Sequence, residues 1–118
     1  MQKKFSKNGK KNMEYRIKLS QNFLTELEEI FEYIEKDLKA PLAANRLRYR
    51  IMIIIQRLKD SPKIYSKINN TDRFGRVYRR FLVDNYAILY TIIQEDNVIL
   101  ISHIYYGGKN YLNRYIFK

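Results

Sequence analysis

The chain has no cysteine and a single histidine, His103. The first absence excludes a disulfide framework, a thiolate metal site and a cysteine nucleophile, and one histidine cannot by itself build a histidine metal centre. No metal and no cofactor is implied. Long apolar runs are missing too: nothing approaches the roughly 18 residues of a membrane span, and the lysine-rich N-terminus has no apolar stretch of the signal-peptide kind. A cytoplasmic protein is expected. Nothing marks a linker or an internal repeat, and 118 residues with 46% hydrophobic content suffice for one cored domain but not two.

Acids are scarce, 12 against 23 Lys and Arg, for a formal net charge of +11. Residues 1–12 hold five lysines (Lys3, Lys4, Lys7, Lys10, Lys11), no acid and no periodicity, which predicts a basic disordered tail. Met13 then opens Met-Glu-Tyr-Arg-Ile-Lys-Leu, a normal-looking start, and Met13 is expected to be the biological first residue, with residues 13–118 as the single domain. Six of the 12 acids lie between Glu26 and Asp37, whereas the chain from Leu38 onward carries 15 basic residues against five acidic. One end of the fold is therefore acidic and the other basic. Such a field favours nucleic acid, the ribosome or an acidic protein partner; ordinary solubility charge is the plainer alternative.

Local patterning orders the rest. Tyr15, Ile17 and Leu19 alternate as a first strand, and Ser20 and Asn22 are both good helix N-caps. Phe23, Leu27, Ile30, Phe31, Ile34 and Leu38 follow at helical spacing, with the acids on the solvent side and Glu26, Glu28 and Glu29 near the positive end of the helix dipole. Ala40-Pro41 ends this helix and starts a second, whose stripe is Ala44, Leu47, Ile51, Ile54, Ile55 and Leu58, until Asp60-Ser61-Pro62 stops it. Arg46, Arg48, Arg50 and Arg57 decorate it, either as solvated charge beside the acidic helix or as phosphate ligands. Residues 63–75 are polar and predict a loop.

Residues 77–83 are rich in β-branched and aromatic side chains, Asp84-Asn85 suits a primed hairpin turn, and residues 86–94 are extended again. Glu95-Asp96-Asn97 breaks the chain before a third apolar run that ends at Gly107-Gly108. Pairing Val83 with Tyr86 would put Arg79, Phe81, Val83, Tyr86, Ile88 and Tyr90 on one face, and Tyr78, Arg80, Leu82, Ala87, Leu89 and Thr91 on the other. Tyr86 and Tyr90 then belong to the core, and Arg79 needs a carboxylate or helix C-terminus to satisfy it. His103, on an apolar strand, fits a packed histidine better than a catalyst. The aromatic segment 111–118 serves either to cover the core or to contact a target.

Strand, two helices and a three-stranded antiparallel meander, in that order, resemble the α+β RelE/ParE superfamily of type II toxin-antitoxin toxins, or plasmid stabilisation proteins. The marks are Tyr15 to Ser20, the Leu27 to Ile34 helix, the Leu58 to Pro62 helix end, Arg79 seven residues before Tyr86, and the ending His103 to Asn110. The resemblance covers nearly all of residues 13–116. It implies a growth-inhibiting toxin neutralised by a cognate antitoxin whose C-terminal segment wraps it.

Within that family, RelE-like members cut mRNA on the ribosome, which needs several cations and an acid-base pair on one sheet face. Here Arg80 stands where they place a lysine, but Tyr78, Ala87 and Asn110 stand where they have further cations. ParE-like members instead poison DNA gyrase, commonly with an arginine and a tyrosine at the Arg79 and Tyr86 positions and an ending that His103 to Asn110 echoes, with Tyr106 in place of histidine. The C-terminal segment of such relatives is implicated in activity. The resemblance thus implies a ParE-like toxin with target-binding candidates Arg79, Arg80, His103, Tyr106, Lys109 and Arg114. The alternatives are a ribosome-dependent endoribonuclease with Arg80 and Tyr106 as catalytic residues, and a non-toxic basic nucleic-acid-binding domain.

Overall fold

The structure is a computed structural model that describes residues 14–71 and 75–107, apart from the side chains of residues 69–71. The expected basic tail and Met13 start, and the segment 108–118 with Lys109 and Arg114, lie outside the described residues. Strand β1 (Arg16–Leu19) leads into helix α1 (Gln21–Glu32), a wide π-turn (Tyr33–Asp37) and helix α2 (Pro41–Leu58). Four strands follow: β2 (Lys67–Thr71), β3 (Val77–Val83), β4 (Tyr86–Ile93) and β5 (Val98–Tyr106). They form one sheet in the order β1-β5-β4-β3-β2, antiparallel except that β1 runs parallel to β5. The first strand thus takes an edge.

Local chemistry explains most boundaries. Ser20 caps α1, its Oγ accepting from Phe23 N at 3.0 Å, and the same hydroxyl donates to the Ser102 carbonyl at 2.8 Å. Between the helices Lys39 takes a left-handed φ of 53°, and Pro41 opens α2 where its missing N–H costs nothing. Asp84 supplies the positive φ (54°) of the β3–β4 turn, and the register Val83↔Tyr86 is the one the alternation predicts. Asn85 does not share that positive φ, so only the first of the two expected positions is used.

Two expectations are corrected. The polar stretch 63–75 contains β2, which pairs antiparallel with β3 at Lys67↔Arg79 and Thr71↔Val77 with a register shift between. Its Lys-Ile-Asn-Asn-Thr sequence has no alternation to betray it; the open edge of β3 supplies the hydrogen-bond partners, and edge strands accept such polar sequences. The meander is therefore four-stranded. Leu38, placed on the apolar stripe of the first helix, is 55% exposed. The π-turn, in which Leu38 N donates to Tyr33 O at 3.1 Å, adds a residue to the last turn and rotates Leu38 off the stripe.

The main core lies between the helices and one face of the sheet. Phe23, Phe31, Ile34, Leu47, Ile51 and Leu58 meet Phe81, Val83, Ile88, Tyr90, Ile99 and Ile104 there. Each such fully buried side chain contributes roughly 1.5–3 kcal/mol relative to exposure. We call this the inner face. The outer face carries a second cluster, drawn among the described residues from the sheet: Tyr78, Ala87, Leu89 and Tyr105, with Ile68 packed against it. Among the described residues, no helix is long and apolar enough to cross a membrane.

Candidate functional site

The C-terminal half of β5 organises the site. β1 pairs with β5 only as far as Leu19↔Ile101, so beyond Ile101 the strand has no paired strand on that side among the described residues. Helix α1 covers the gap. Ile104 N donates to Glu26 Oε1 at 3.1 Å, and the Ser20 hydroxyl takes the Ser102 carbonyl. Glu26 also lies 3.1 Å from His103 Nδ1, and because a carboxylate only accepts, that nitrogen carries the hydrogen. His103 is 8% exposed. It is a packed histidine, as its position on an apolar strand predicts. Its partner 77 residues away leaves no trace in the sequence.

Ser102 is an extra residue in this half-strand. Tyr90 pairs with Ile101 but Leu89 with His103, a bulge that resets which side chains point inward. Ile99 and Ile101 are inner-face residues before it, and Ile104 after it. Tyr106 consequently comes to the inner side, where its ring meets Tyr86 edge-on at 5.9 Å, while Tyr105 joins the outer cluster. An open groove of about 650 Å³ runs beside it, lined by Glu26, Glu29, Ile30, Tyr33, Leu38, Tyr86, Ile104, Tyr105 and Tyr106. Burial, then the nearby Tyr106, Tyr33 and Asp84, push the Tyr86 hydroxyl above its ordinary pKa. The composition of this groove escapes sequence inspection, since it depends on the π-turn and the bulge together.

The arginines separate. Arg79 lies on the inner side and donates to the Tyr65 carbonyl at 2.6 Å, with Lys63 O at 3.4 Å. Beside it the Tyr90 hydroxyl donates to Pro62 O at 2.7 Å. Burial pushes Tyr90 up to about 12, against the lowering influence of Arg79. Arg79 is thus satisfied by carbonyls just beyond the C-terminus of α2, and together with Tyr90 it holds the connection to β2. Arg80 points the other way. It stands exposed on the outer face opposite Leu89, close to the Tyr105 hydroxyl, whose pKa burial raises and Arg80 partly offsets. Arg80 and Tyr106 are therefore on opposite sides of the sheet, and the structure does not bring the two nuclease candidates together.

On the outer surface of α2, Leu42 and Tyr49 are 70% and 67% exposed, and Met52 is exposed beside them. Of the four arginines on this helix, Arg48 lies over the Phe31 ring at 4.2 Å and 3.6 Å from Glu35, and Arg50 pairs with Asp84 at 2.6 Å. These two act as charge ties to the acidic helix end and the hairpin turn, in keeping with the solvated reading.

This architecture is found elsewhere. The crystal structure of the archaeal RelE-RelB complex from Pyrococcus horikoshii OT3 contains a chain that superposes with a TM-score of 0.52, covering 83% of this chain and 100% of that one. At 20% identity the likeness is one of fold. None of the curated proteins matches this chain. The family of the ParE toxin of the type II toxin-antitoxin system, parDE, matches residues 17–111, from β1 through the meander and past Gly107. A match over that span, on a chain with the strand, helical hairpin and sheet described above, means that the chain belongs to the ParE toxin family of type II toxin-antitoxin systems.

Proposed function

We propose that this toxin inhibits growth in the cytoplasm by binding a protein target, DNA gyrase, rather than by cutting mRNA, and that a cognate antitoxin neutralises it. One observation carries the choice of target. Where a ribosome-dependent nuclease would need a cluster of cations and an acid-base pair on one face, the described residues of the outer face are Tyr78, Ala87, Leu89 and Tyr105, buried and packed on one another, with Arg80 at the margin. Cleavage requires neutralising a pentavalent phosphate while a proton is moved, and Arg80 and Tyr106, on opposite sides of the sheet, do not serve one phosphate together. A binder has no such requirement.

The antitoxin surface follows from charge and exposure. The exposed apolar side of α2, with Leu42, Tyr49 and Met52 among Arg46, Arg50 and Arg57, suits an amphipathic segment bearing acids beside its apolar anchors. The Pyrococcus horikoshii RelE was crystallised with RelB, which supports a protein antitoxin here. The groove that Glu26 and Glu29 help to line suits such a segment less well.

The deciding experiment induces residues 13–118 in a tightly repressed host and follows pulse-labelled DNA and protein synthesis with growth. DNA synthesis is expected to fall first. If protein synthesis falls first, with cleaved transcripts that Arg80→Ala or Tyr106→Phe abolishes, the nuclease reading replaces this one. Unimpeded growth would favour a non-toxic nucleic-acid-binding domain.

A further inference from the structure

One stripe of α1 and its π-turn looks onto the groove of about 650 Å³ beside the end of β5. Glu26, Glu29, Ile30 and Tyr33 follow one another at helical spacing, so their side chains share one side of the helix. The sheet contributes Tyr86 and Tyr106, register partners on β4 and β5, and the π-turn adds Leu38. Tyr33, Leu38 and Tyr106 are 51%, 55% and 57% exposed, so much of this apolar lining faces water.

The charge of the groove runs against that of the chain. Lys and Arg outnumber acids 23 to 12, yet the described lining holds two carboxylates and no cation. Glu26 is committed to Ile104 N and His103. Glu29 is not. Glu32 and Glu35 on the following turns pair with Lys36 and Arg48, whereas Glu29 pairs with no cation among the described residues. A purely apolar segment laid here would strip water from that carboxylate without compensation, and an acidic one would be repelled. A segment bearing a cation meets neither cost.

The aromatics favour the same charge. The Tyr86 and Tyr106 rings stand 5.9 Å apart with 85° between their planes, two walls of a corner. After burial, the largest influences on the Tyr86 hydroxyl are Tyr106 and Tyr33, so the three phenols converge. A guanidinium or ammonium over a tyrosine face is attracted by the ring quadrupole, and more strongly once water is excluded. Arginine adds planar stacking, and this chain already lays Arg48 over Phe31 at 4.2 Å.

We propose that this groove docks a segment of the toxin's protein target that carries an arginine among apolar residues. The guanidinium enters between Tyr33, Tyr86 and Tyr106 with Glu29 as its counter-charge, and the apolar residues cover Ile30, Leu38 and Ile104. Assignment to the target rests on the reading that the toxin acts by binding a protein. The antitoxin surface on α2, with Arg46, Arg50 and Arg57, has the opposite preference. A net charge of +11 repels a basic segment from most of the molecule, so admission at this groove is selective.

Two readouts test this. The full chain is titrated with the acetylated, amidated tetrapeptide Leu-Arg-Leu-Leu and with Leu-Glu-Leu-Leu while methyl resonances are followed. The arginine peptide should shift Ile30, Leu38 and Ile104, leave Leu42 and Met52 unmoved, and bind about tenfold tighter than the glutamate peptide. Glu29→Gln should bring the two to about equal affinity with the melting temperature unchanged, since Glu29 ties no part of the fold. In the induced host, Glu29→Arg should raise the expression needed to arrest growth by about tenfold while antitoxin affinity holds. Equal binding of the two peptides, or shifts confined to α2, overturns the inference. So does a Glu29→Arg chain that arrests growth as well as wild type, or that loses the antitoxin instead; arrest by wild type in the same cultures then leaves the protein-target reading standing. Wild type that arrests nothing removes the target, and the assignment of the groove to it, whatever the peptides do.

Discussion

At the scale of single residues, the side chains that look most functional are mostly structural. Arg79 illustrates why. Its inner-face position follows from alternation, and an arginine there must find acceptors; it finds the Tyr65 and Lys63 carbonyls rather than a carboxylate. Arg79→Ala should cost about 1–3 kcal/mol by leaving those carbonyls unpaired, measured as a lower urea midpoint, with toxicity reduced only in proportion to folded protein. Tyr90 gives a pH signature of the same corner. Its folded-state pKa is raised from 10.0 to about 12, so its contribution is complete below pH 10 and is lost as the pH rises through about 12. Tyr86 and Tyr105 are shifted upward as well and act in the same direction. Denaturation midpoints at pH 9 and pH 11 should therefore fall with pH, and Tyr90→Phe should flatten part of the fall while costing about 1 kcal/mol for the lost bond to Pro62. A midpoint that stays level in the wild type would contradict the buried hydroxyl.

At the scale of elements, boundaries set by local chemistry were readable and those set by tertiary contacts were not. Ser20, Pro41 and the Asp84 turn act within a few residues of themselves, so their types announce them. The faces of β3 and β4 follow from period-two alternation once the turn is placed. β2 has no such signal, because an edge strand is recruited by the unpaired backbone beside it. The Ser102 bulge is equally silent, yet it decides that Tyr106 and Arg80 part company. For the same reason the candidate site was legible residue by residue but not as an arrangement. Glu26 is the clearest case: its sequence context says solvated helix face, and it closes the open edge of β5 instead. Glu26→Ala should cost about 1–3 kcal/mol, and a double-mutant cycle with His103→Ala should show coupling, because one carboxylate serves both His103 and Ile104 N. At the inter-helix corner the sign reverses. Lys39 holds a left-handed φ of 53°, so Lys39→Gly should raise stability by about 1 kcal/mol, seen as a higher melting temperature.

At the scale of the whole molecule, charge and exposed apolar surface are distributed so that partners of different chemistry are drawn to different sides. Six acids concentrate along α1 and the π-turn, whereas the chain from Leu38 onward carries 15 basic residues against five acidic. A net charge of +11 accelerates encounter with any acidic partner, and the effect is screened within about 8 Å at physiological ionic strength. If the cognate antitoxin docks an acidic amphipathic segment on α2, long-range attraction sets how often the two meet, and the apolar contacts of Leu42, Tyr49 and Met52 set how long they stay. The two contributions can be separated by kinetics. Raising salt from about 20 to 200 mM should lower the association rate by about tenfold or more while the dissociation rate changes little. Tyr49→Asp should do the opposite, raising the dissociation rate by an order of magnitude or more through a buried, unpaired charge, with a modest effect on association. Surface-immobilised antitoxin and a salt series distinguish these. A salt dependence confined to dissociation would mean that the charges lie inside the contact, and an inert Tyr49→Asp would move the antitoxin off α2 altogether.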